Sequence, residues 1–436
     1  MKKKLFIIFF IFCFIPTAFA KPFSSPPISI HTLSNGFKLY LLEDHHLPLI
    51  ETKLFIKVGD AYEEVKLAGL ADIMTSLLVT GGTKSKSPKE VDEWLDERAV
   101  HLTAEAGREL SVITLSCLSK QWEEAFNFLV EVLLQPRWDQ ERFELTINRY
   151  LEELRRDDDE PGTVAERAFR EELYGAKHPW GKSPTLASIG RIRIEDIKKF
   201  YQSYFQPSRM LLTVSGDFSS LAIKKWLEKW ASSLQETPVQ EPKWEKLPLG
   251  SKSKQKRIHK KVTQSFIEMG HLGLERHSPD EFPFAVLQYI LGGEPFTSRL
   301  GRDIRSDRGL AYSVYSHWDT NPTRGYFRIS LQTRADAEEI ALEKIKEHLV
   351  RISQQADITP EELALAKESL LNKYIFWFDS PFHVVALKAK MDLLGFEKDY
   401  LSKYPERMKR ITLEQVKEVA KKYIQPDGLK VVIVGP

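Results

Sequence analysis

Residues 192–207 read IRIEDIKKFYQSYFQP, and residues 411–426 read ITLEQVKEVAKKYIQP. The two segments align without a gap at an offset of 219 residues and share six identical positions. Each predicts a helix, because apolar residues recur at helical spacing and a proline then ends the pattern. An apolar run that ends in glycine follows each proline, at residues 210–216 and 429–435, and predicts a strand. Two such units at one offset indicate the duplication of a whole domain.

The two copies are separated by a segment of different composition. Residues 236–257 carry three prolines and a dense run of charges, with little apolar periodicity, which is typical of a linker. We therefore predict domain one at residues 29–235, a linker at 236–257 and domain two at 258–436. A new strand pattern begins near Val262. The chain of 436 residues is long enough to form two substantial cores.

The order of elements within domain one predicts an α+β fold. Alternating apolar residues predict strands near residues 36–42, 54–58 and 110–118, with hairpin-length connections between strands. Helical patterns fall near 67–79, 88–98, 121–134 and 140–156, and the last of these helices is expected to bury Leu145, Tyr150, Leu151 and Leu154. We therefore expect two duplicated domains, each a mainly antiparallel sheet covered by helices.

The N-terminus has the pattern of a secretory signal. Lys2, Lys3 and Lys4 precede an apolar run at residues 5–15, and Ala18-Phe19-Ala20 forms a cleavage site. A run of 11 residues is too short to span a bilayer, which takes roughly 20 residues. We predict a signal peptide at residues 1–20, cleavage after Ala20 and export, to the bacterial periplasm, with no stable membrane anchor. Without the three lysines, 60 basic residues face 61 acidic ones, a balance that does not favour nucleic acid as a partner.

Residues 69–83 read GLADIMTSLLVTGGT, and this segment resembles the active-site helix of the pitrilysin/insulinase-type (inverzincin) zinc peptidases. Active members carry a pattern close to G-L-A-H-x-x-E-H. Residues four apart lie on one face of a helix, so that two imidazoles can bind one Zn²⁺, and the glutamate activates the bound water. Here Asp72 and Ser76 replace the two histidines, and Thr75 replaces the glutamate. The resemblance implies a third ligand some 80 residues later, where Glu153 falls.

These substitutions argue against a zinc site in this chain. Hydroxyl groups are poor Zn²⁺ ligands at neutral pH, threonine is not a general base, and Asp72 with Glu153 alone would make a weak oxygen site. None of the 11 histidines forms an H-x-x-E-H or H-E-x-x-H pair. We therefore expect no cofactor bound by this chain and no autonomous zinc peptidase activity.

Residues 291–314 read LGGEPFTSRLGRDIRSDRGLAYSV and resemble the C-terminal signature of the same family. Members carry an arginine and, seven residues later, a tyrosine; Arg305 and Tyr312 match that spacing. In the family, the pair reaches the zinc site and hydrogen-bonds the peptide near the cleaved bond, where charge develops on a carbonyl oxygen. From local pattern alone, Ser298 is expected to cap a helix that ends near Arg305, with Gly309 as its terminator and a strand from Ala311.

Loss of the zinc residues beside retention of the arginine and tyrosine resembles the non-catalytic chain of two-chain bacterial members, with a processing-peptidase-like half-clam fold. The resemblance implies a partner, an exported homologous chain with an intact H-x-x-E-H motif that carries zinc, and unfolded peptides as substrates. A peptide would add a strand at an edge near Thr103, Ala104 and Glu105. The alternatives are a catalytically inert peptide-binding or scaffold protein and, third, an enzyme with a different site near Asp72.

Overall fold

The computed structural model describes residues 27–33, 35–231, 238–250 and 252–436. The predicted signal peptide, residues 1–20, lies outside the described residues. In the part of the chain that is described, no helix is long and apolar enough to cross a membrane.

The first sheet contains six strands among the described residues, in the order β1-β2-β6-β3-β5-β4. Its neighbouring strands are antiparallel except for the parallel pair β2 and β6. The strands are β1 (Ser29–Thr32), β2 (Lys38–Glu43), β3 (Leu49–Ile56), β4 (His101–Ala106), β5 (Ser111–Leu118) and β6 (Met210–Gly216).

The second sheet contains five strands among the described residues, in the order β7-β11-β8-β10-β9, and only the pair β7 and β11 is parallel. The strands are β7 (Lys254–His259), β8 (Gln264–Leu272), β9 (Ala311–Asp319), β10 (Tyr326–Arg334) and β11 (Lys430–Gly435). The two orders correspond strand by strand: β2 to β7, β6 to β11, β3 to β8, β5 to β10 and β4 to β9. Strand β1 is an additional edge strand of the first sheet. The α+β fold of two duplicated, mainly antiparallel sheets is thereby confirmed.

Each sheet is accompanied by helices that occur at corresponding places along the chain. With the first sheet come α1 (Leu70–Thr80), α2 (Pro88–Glu97), α3 (Trp122–Leu134), α4 (Gln140–Asp159), α5 (Pro161–Tyr174), α6 (Leu186–Ile189), α7 (Ile194–Tyr204) and α8 (Ser220–Ala231). With the second come α9 (Glu281–Gly292), a π-helical segment (Gly301–Asp307), α10 (Glu338–Val350), α11 (Pro360–Ile375), α12 (Pro381–Leu393), α13 (Tyr400–Arg410) and α14 (Leu413–Tyr423). The repeated sequence unit forms α7 with β6 and α14 with β11, as the alignment predicts. Thr412 caps α14 and accepts a hydrogen bond from the Gln415 N–H group.

The two halves exchange one helix each. Helix α5 of the first half packs on β8 and β11 of the second sheet, and α12 of the second half packs on β2, β3 and β6 of the first sheet. On the first sheet, Val385 and Ala389 of α12 join a buried cluster with Tyr40, Phe55 and Leu211. On the second, Cβ of Gly162 would lie 3.5 Å from the Phe266 ring. Each half therefore covers one face of the sheet of the other.

One local prediction is wrong, and one strand was not predicted. Leu145 is 57% exposed, because the buried face of α4 includes Phe143 and Thr146, and Leu145 lies between them on the opposite side of the helix. The strand predicted near Val262 is β8, which begins at Gln264, whereas β7 begins at Lys254, inside the last residues of the predicted linker, and was not predicted. Its sequence KQKRIH is largely polar and carries no apolar alternation.

Candidate functional site

The positions of the three zinc ligands converge in the structure. Asp72 and Ser76 lie four residues apart on α1, and Glu153 lies on α4, which packs against α1. Asp72 and Glu153 line one cavity of about 280 Å³. Gly69 begins this helix with φ of +100°, a conformation that glycine adopts readily. The fold therefore brings these three positions together. The role of Glu153 at the third position stays a prediction.

An arginine occupies the space between the second and third of these positions. The Arg149 guanidinium donates a hydrogen bond to the Ser76 hydroxyl (2.7 Å) and lies 3.7 Å from a carboxylate oxygen of Glu153. Its side chain also lies over the Tyr150 ring, 5.3 Å from the centroid. A cation supplied by the chain itself therefore contacts two of the positions at which family members hold a metal ion.

The position of the catalytic glutamate has no base. Thr75 is buried, and its hydroxyl donates to the backbone carbonyls of Ala71 and Asp72, at 3.0 Å each. Both hydrogen bonds keep this hydroxyl on its own helix. A threonine hydroxyl is also too weak a base to take a proton from a water molecule.

Asp72 is a poor metal ligand in its surroundings. Burial, together with the nearby Asp60 carboxylate, raises the pKa of Asp72 to about 7, although the Arg108 guanidinium opposes the shift. The raised pKa disfavours the ionised carboxylate that binds Zn²⁺. Together with the Ser76 hydroxyl and the Arg149 cation, this donor set does not fit Zn²⁺. Within the described residues, no three His, Cys, Asp or Glu side chains are arranged to hold a metal ion.

The N-terminus of α1 is held by groups that the motif does not include. The Glu63 carboxylate accepts hydrogen bonds from the Gly69 and Ala71 N–H groups, at 3.1 and 2.5 Å. The buried Lys182 ammonium donates to the Glu63 carbonyl (2.8 Å) and lies 3.5 Å from the Glu63 carboxylate. Sequence reasoning missed Glu63, Lys182 and Arg149, since their roles depend on which segments pack around α1.

Strand β4, which carries Thr103, Ala104 and Glu105, lies at the edge of the first sheet. Its hairpin is closed by a bond from the Gly107 N–H group to the Leu110 carbonyl (2.8 Å). Hydrogen-bonded pairs alternate along an antiparallel ladder, so Thr103 and Glu105 bond to β5, while the backbone of Ala104 points outward. Within the described residues, no other group forms a hydrogen bond with the outward N–H and C=O groups of β4. The outward groups of β4 thus have free hydrogen-bonding capacity, and helix α1 packs against the same strand.

The equivalent edge of the second sheet, on β9, is partly closed. The Gln288 side-chain amide donates to the Ser316 carbonyl (2.7 Å). A Cβ atom added at Gly292 would lie 2.7 Å from the Ser316 nitrogen, so the end of α9 lies directly against the strand. Of these two edges, β4 is therefore the one whose outward backbone groups have no hydrogen-bond partner within the described residues.

Arg305 lies on the π-helical segment, where the local sequence predicts a helix. The Gly301 N–H group donates to the Ser298 hydroxyl (3.2 Å), and Leu300 and Ile304 are fully buried. The predicted cap and apolar face are therefore present. Arg305 is half-buried near the C-terminal end. Its guanidinium lies over the Phe296 ring, 4.4 Å from the centroid, and within the described residues no carboxylate pairs with it.

Tyr312 lies on the next element, strand β9, with 75% of its surface exposed. Gly309, with φ of +60°, ends the helical segment, and the Leu310 N–H group donates to the Ile304 carbonyl (2.9 Å). This turn sets the direction of β9 relative to Arg305. Among the described residues, no hydrogen bond connects the Tyr312 hydroxyl to the protein, so a phenol and a guanidinium with free donors lie on adjacent elements. None of the described contacts joins them to Asp72, Ser76 or Glu153.

The fold and the altered motif define the class of the protein, and comparison with known proteins agrees. The family model for insulinase (peptidase family M16) matches residues 41–179, and the model for the peptidase M16 inactive domain matches residues 191–370. The chain belongs to peptidase family M16. Its sequence contains no H-x-x-E-H pattern.

Relatives that cover almost the whole chain carry different descriptions. An uncharacterized zinc protease YmxG of Bacillus subtilis is 24% identical over 92% of this chain and 96% of its own length. A non-peptidase homolog YmxG of Helicobacter pylori is 24% identical over 90% of each chain. A solved structure of the peptidase M16 inactive domain from Pseudomonas fluorescens has a TM-score of 0.86 and 24% identity, over 94% of this chain and 98% of the other. The structural likeness concerns the fold, and the altered donor set fits a member without catalytic zinc.

Proposed function

We propose that this chain is the non-zinc-binding subunit of a heteromeric metalloendopeptidase. In the proposed enzyme, Arg305 and Tyr312 bind the peptide and stabilise the transition state at the zinc site of a partner chain. The partner is an exported homologous chain with an intact H-x-x-E-H motif, and the complex acts on unfolded peptides in the bacterial periplasm.

One observation carries the proposal. Arg305 and Tyr312 present hydrogen-bond donors that no described side chain uses, on two elements that meet at the surface, while Arg149 of the same chain contacts Ser76 and Glu153, two of the three positions that would bind the metal. A protein that served only as a scaffold would be free to pair or bury such donors. A guanidinium and a phenol can both donate to a carbonyl oxygen as negative charge develops on it.

The open edge of β4 supports a role in holding peptide. Its outward backbone groups, centred on Ala104, read an extended chain through main-chain hydrogen bonds, which suits substrates of varied sequence. The same observation favours the alternative, a catalytically inert peptide-binding protein, because a peptide can bind β4 without being cut. The two functions differ in whether Arg305 and Tyr312 affect hydrolysis.

The test is hydrolysis of an internally quenched unfolded peptide by this chain purified together with its zinc-bearing homologue. We expect Arg305→Ala and Tyr312→Phe each to lower kcat/KM by about one to three orders of magnitude, the scale of losing an oxyanion donor. Two substitutions serve as matched controls. Arg302→Ala removes an exposed arginine from the same helical segment, and Tyr315→Phe removes a hydroxyl from the same strand. Full activity of both test variants would overturn the proposal in favour of the inert peptide-binding protein.

A further inference from the structure

The ring of Phe296 has an unusual environment for a large apolar side chain. It is 64% exposed, belongs to none of the hydrophobic clusters of the described residues, and its ring centroid lies 4.4 Å from Cζ of Arg305. Burial in a core therefore does not account for its position. Its distinctive contact is with the arginine that the proposed function assigns to the substrate.

The loop that carries Phe296 is held in place from three sides. The Ser298 hydroxyl donates to the Glu294 carbonyl, and the Glu294 carboxylate pairs with the Lys373 ammonium of α11. A Cβ atom added at Gly301 would lie 2.5 Å from the Pro295 carbonyl oxygen, so only glycine lets the loop lie this close to the helical segment. These contacts fix the two residues before Phe296, so its position against Arg305 is built into the fold.

The way in which Arg305 is held has a chemical consequence. A carboxylate partner would bind the edge of the guanidinium and use up its N–H donors, as Glu362 and Asp357 do for Arg299. An aromatic ring attracts the cation through its π system and places no carboxylate oxygen beside the guanidinium to accept its N–H groups. Within the described residues no carboxylate forms an ion pair with Arg305, so none places beside it a negative charge that would repel a developing oxyanion.

We propose that Phe296 is a positioning residue, which holds the Arg305 guanidinium by a cation–π contact so that its donors remain available to the peptide carbonyl. This inference rests on the proposed function. The inference goes beyond the proposed function by assigning the orientation of Arg305 to Phe296, a residue outside the arginine and tyrosine pair.

The experiment compares Phe296→Leu with Phe296→Tyr in the two-chain preparation, with the quenched peptide as the probe. Leucine keeps an apolar side chain but has no π face, whereas tyrosine keeps the ring. We expect Phe296→Leu to lower kcat by about 3- to 10-fold with KM changed less than about twofold, because the arginine acts on charge that develops after binding. Phe296→Tyr should retain kcat within about twofold.

Phe376→Leu is the matched control, since Phe376 is a similarly exposed phenylalanine, at 70%, that does not contact Arg305. The midpoint of thermal unfolding should be unchanged in all three variants, because these rings are exposed. If Phe296→Leu keeps kcat while Arg305→Ala loses it, the positioning role is wrong and the proposed function stands. If Arg305→Ala also keeps kcat, the proposed function fails, and the inference fails with it. Equal loss in Phe296→Leu and Phe296→Tyr, or a change confined to KM, would overturn the positioning role alone.

Discussion

Replacing Arg299 by methionine should destabilise the second half of the chain without altering the proposed peptide contacts. Arg299 is largely buried and donates two hydrogen bonds to the Glu362 carboxylate, at 2.7 Å each. It also donates to the carboxylate of Asp357 at 2.6 Å and to its carbonyl at 2.9 Å. These bonds tie the start of the helical segment that carries Arg305 to the N-terminus of α11, where Glu362 completes a capping box with Thr359.

The expected loss of stability follows from the two carboxylates, of Glu362 and Asp357, that lose their partner. Removing one member of a buried ion pair costs about 3–5 kcal/mol when its partner cannot rehydrate. The Glu362 and Asp357 side chains each retain 22% exposure, so water reaches them, and the lower end is appropriate. We expect Arg299→Met to reduce the free energy of unfolding by about 3 kcal/mol at pH 7. Arg302→Met, on the same segment, should change it by less than about 0.5 kcal/mol.

The free energy of unfolding of Arg299→Met should also depend on pH differently from that of the wild type. Hydrogen bonds from Arg299 lower the pKa of Asp357 and of Glu362 below their ordinary values of 3.8 and 4.5, against the opposing effect of burial. A carboxyl group with a lowered pKa adds stability above its unfolded pKa and loses it as pH falls through the folded one. The difference between wild type and Arg299→Met should therefore be full above about pH 5 and should shrink below pH 4. Urea unfolding followed by tryptophan fluorescence measures it. A loss below 1 kcal/mol at pH 7, or one that is independent of pH, would refute this reasoning.

Two further predictions concern the exchanged helix and the altered metal positions. Phe169→Ala on α5, a residue in one buried cluster with strand β11, should cost about 3–5 kcal/mol in urea unfolding. It should also lower the stability of both halves together; separate transitions, with only one shifted, would contradict the exchange of helices. The triple substitution Asp72→His, Thr75→Glu, Ser76→His should bind Zn²⁺ at least about 10-fold more weakly than the same variant with Arg149→Ala, since a fixed cation opposes the metal. Calorimetric titration with Zn²⁺ compares the two, and equal affinities would mean that Arg149 moves aside at no cost.

Much of the fold could be predicted because the signals are local or repeated. The copy of residues 192–207 at 411–426 predicts the duplication, and α7 with β6 and α14 with β11 confirm it. The cap at Ser298 and the glycine at 309 also follow from short-range pattern, and both are present. Strand β7 escaped detection because its side chains are polar, and it is a strand chiefly by virtue of pairing with β11.

The exchange of α5 and α12 could not be predicted from the sequence. An amphipathic pattern shows that a helix has an apolar face, but it does not show which sheet that face covers. The same limit applies to the candidate site. The motif predicts that Asp72, Thr75 and Ser76 no longer form a zinc site, but Arg149 enters that position only because α4 packs beside α1. The contact between Phe296 and Arg305 likewise depends on how one loop closes over one helical segment.

The central claim is that this chain takes part in proteolysis without holding the metal, and one measurement tests it directly. Hydrolysis of the quenched peptide and zinc content are measured for this chain alone, for the exported homologue with an intact H-x-x-E-H motif alone, and for the two together. We expect hydrolysis only with both chains present, and zinc in the homologue. Stoichiometric zinc and peptide hydrolysis in this chain purified alone would contradict it.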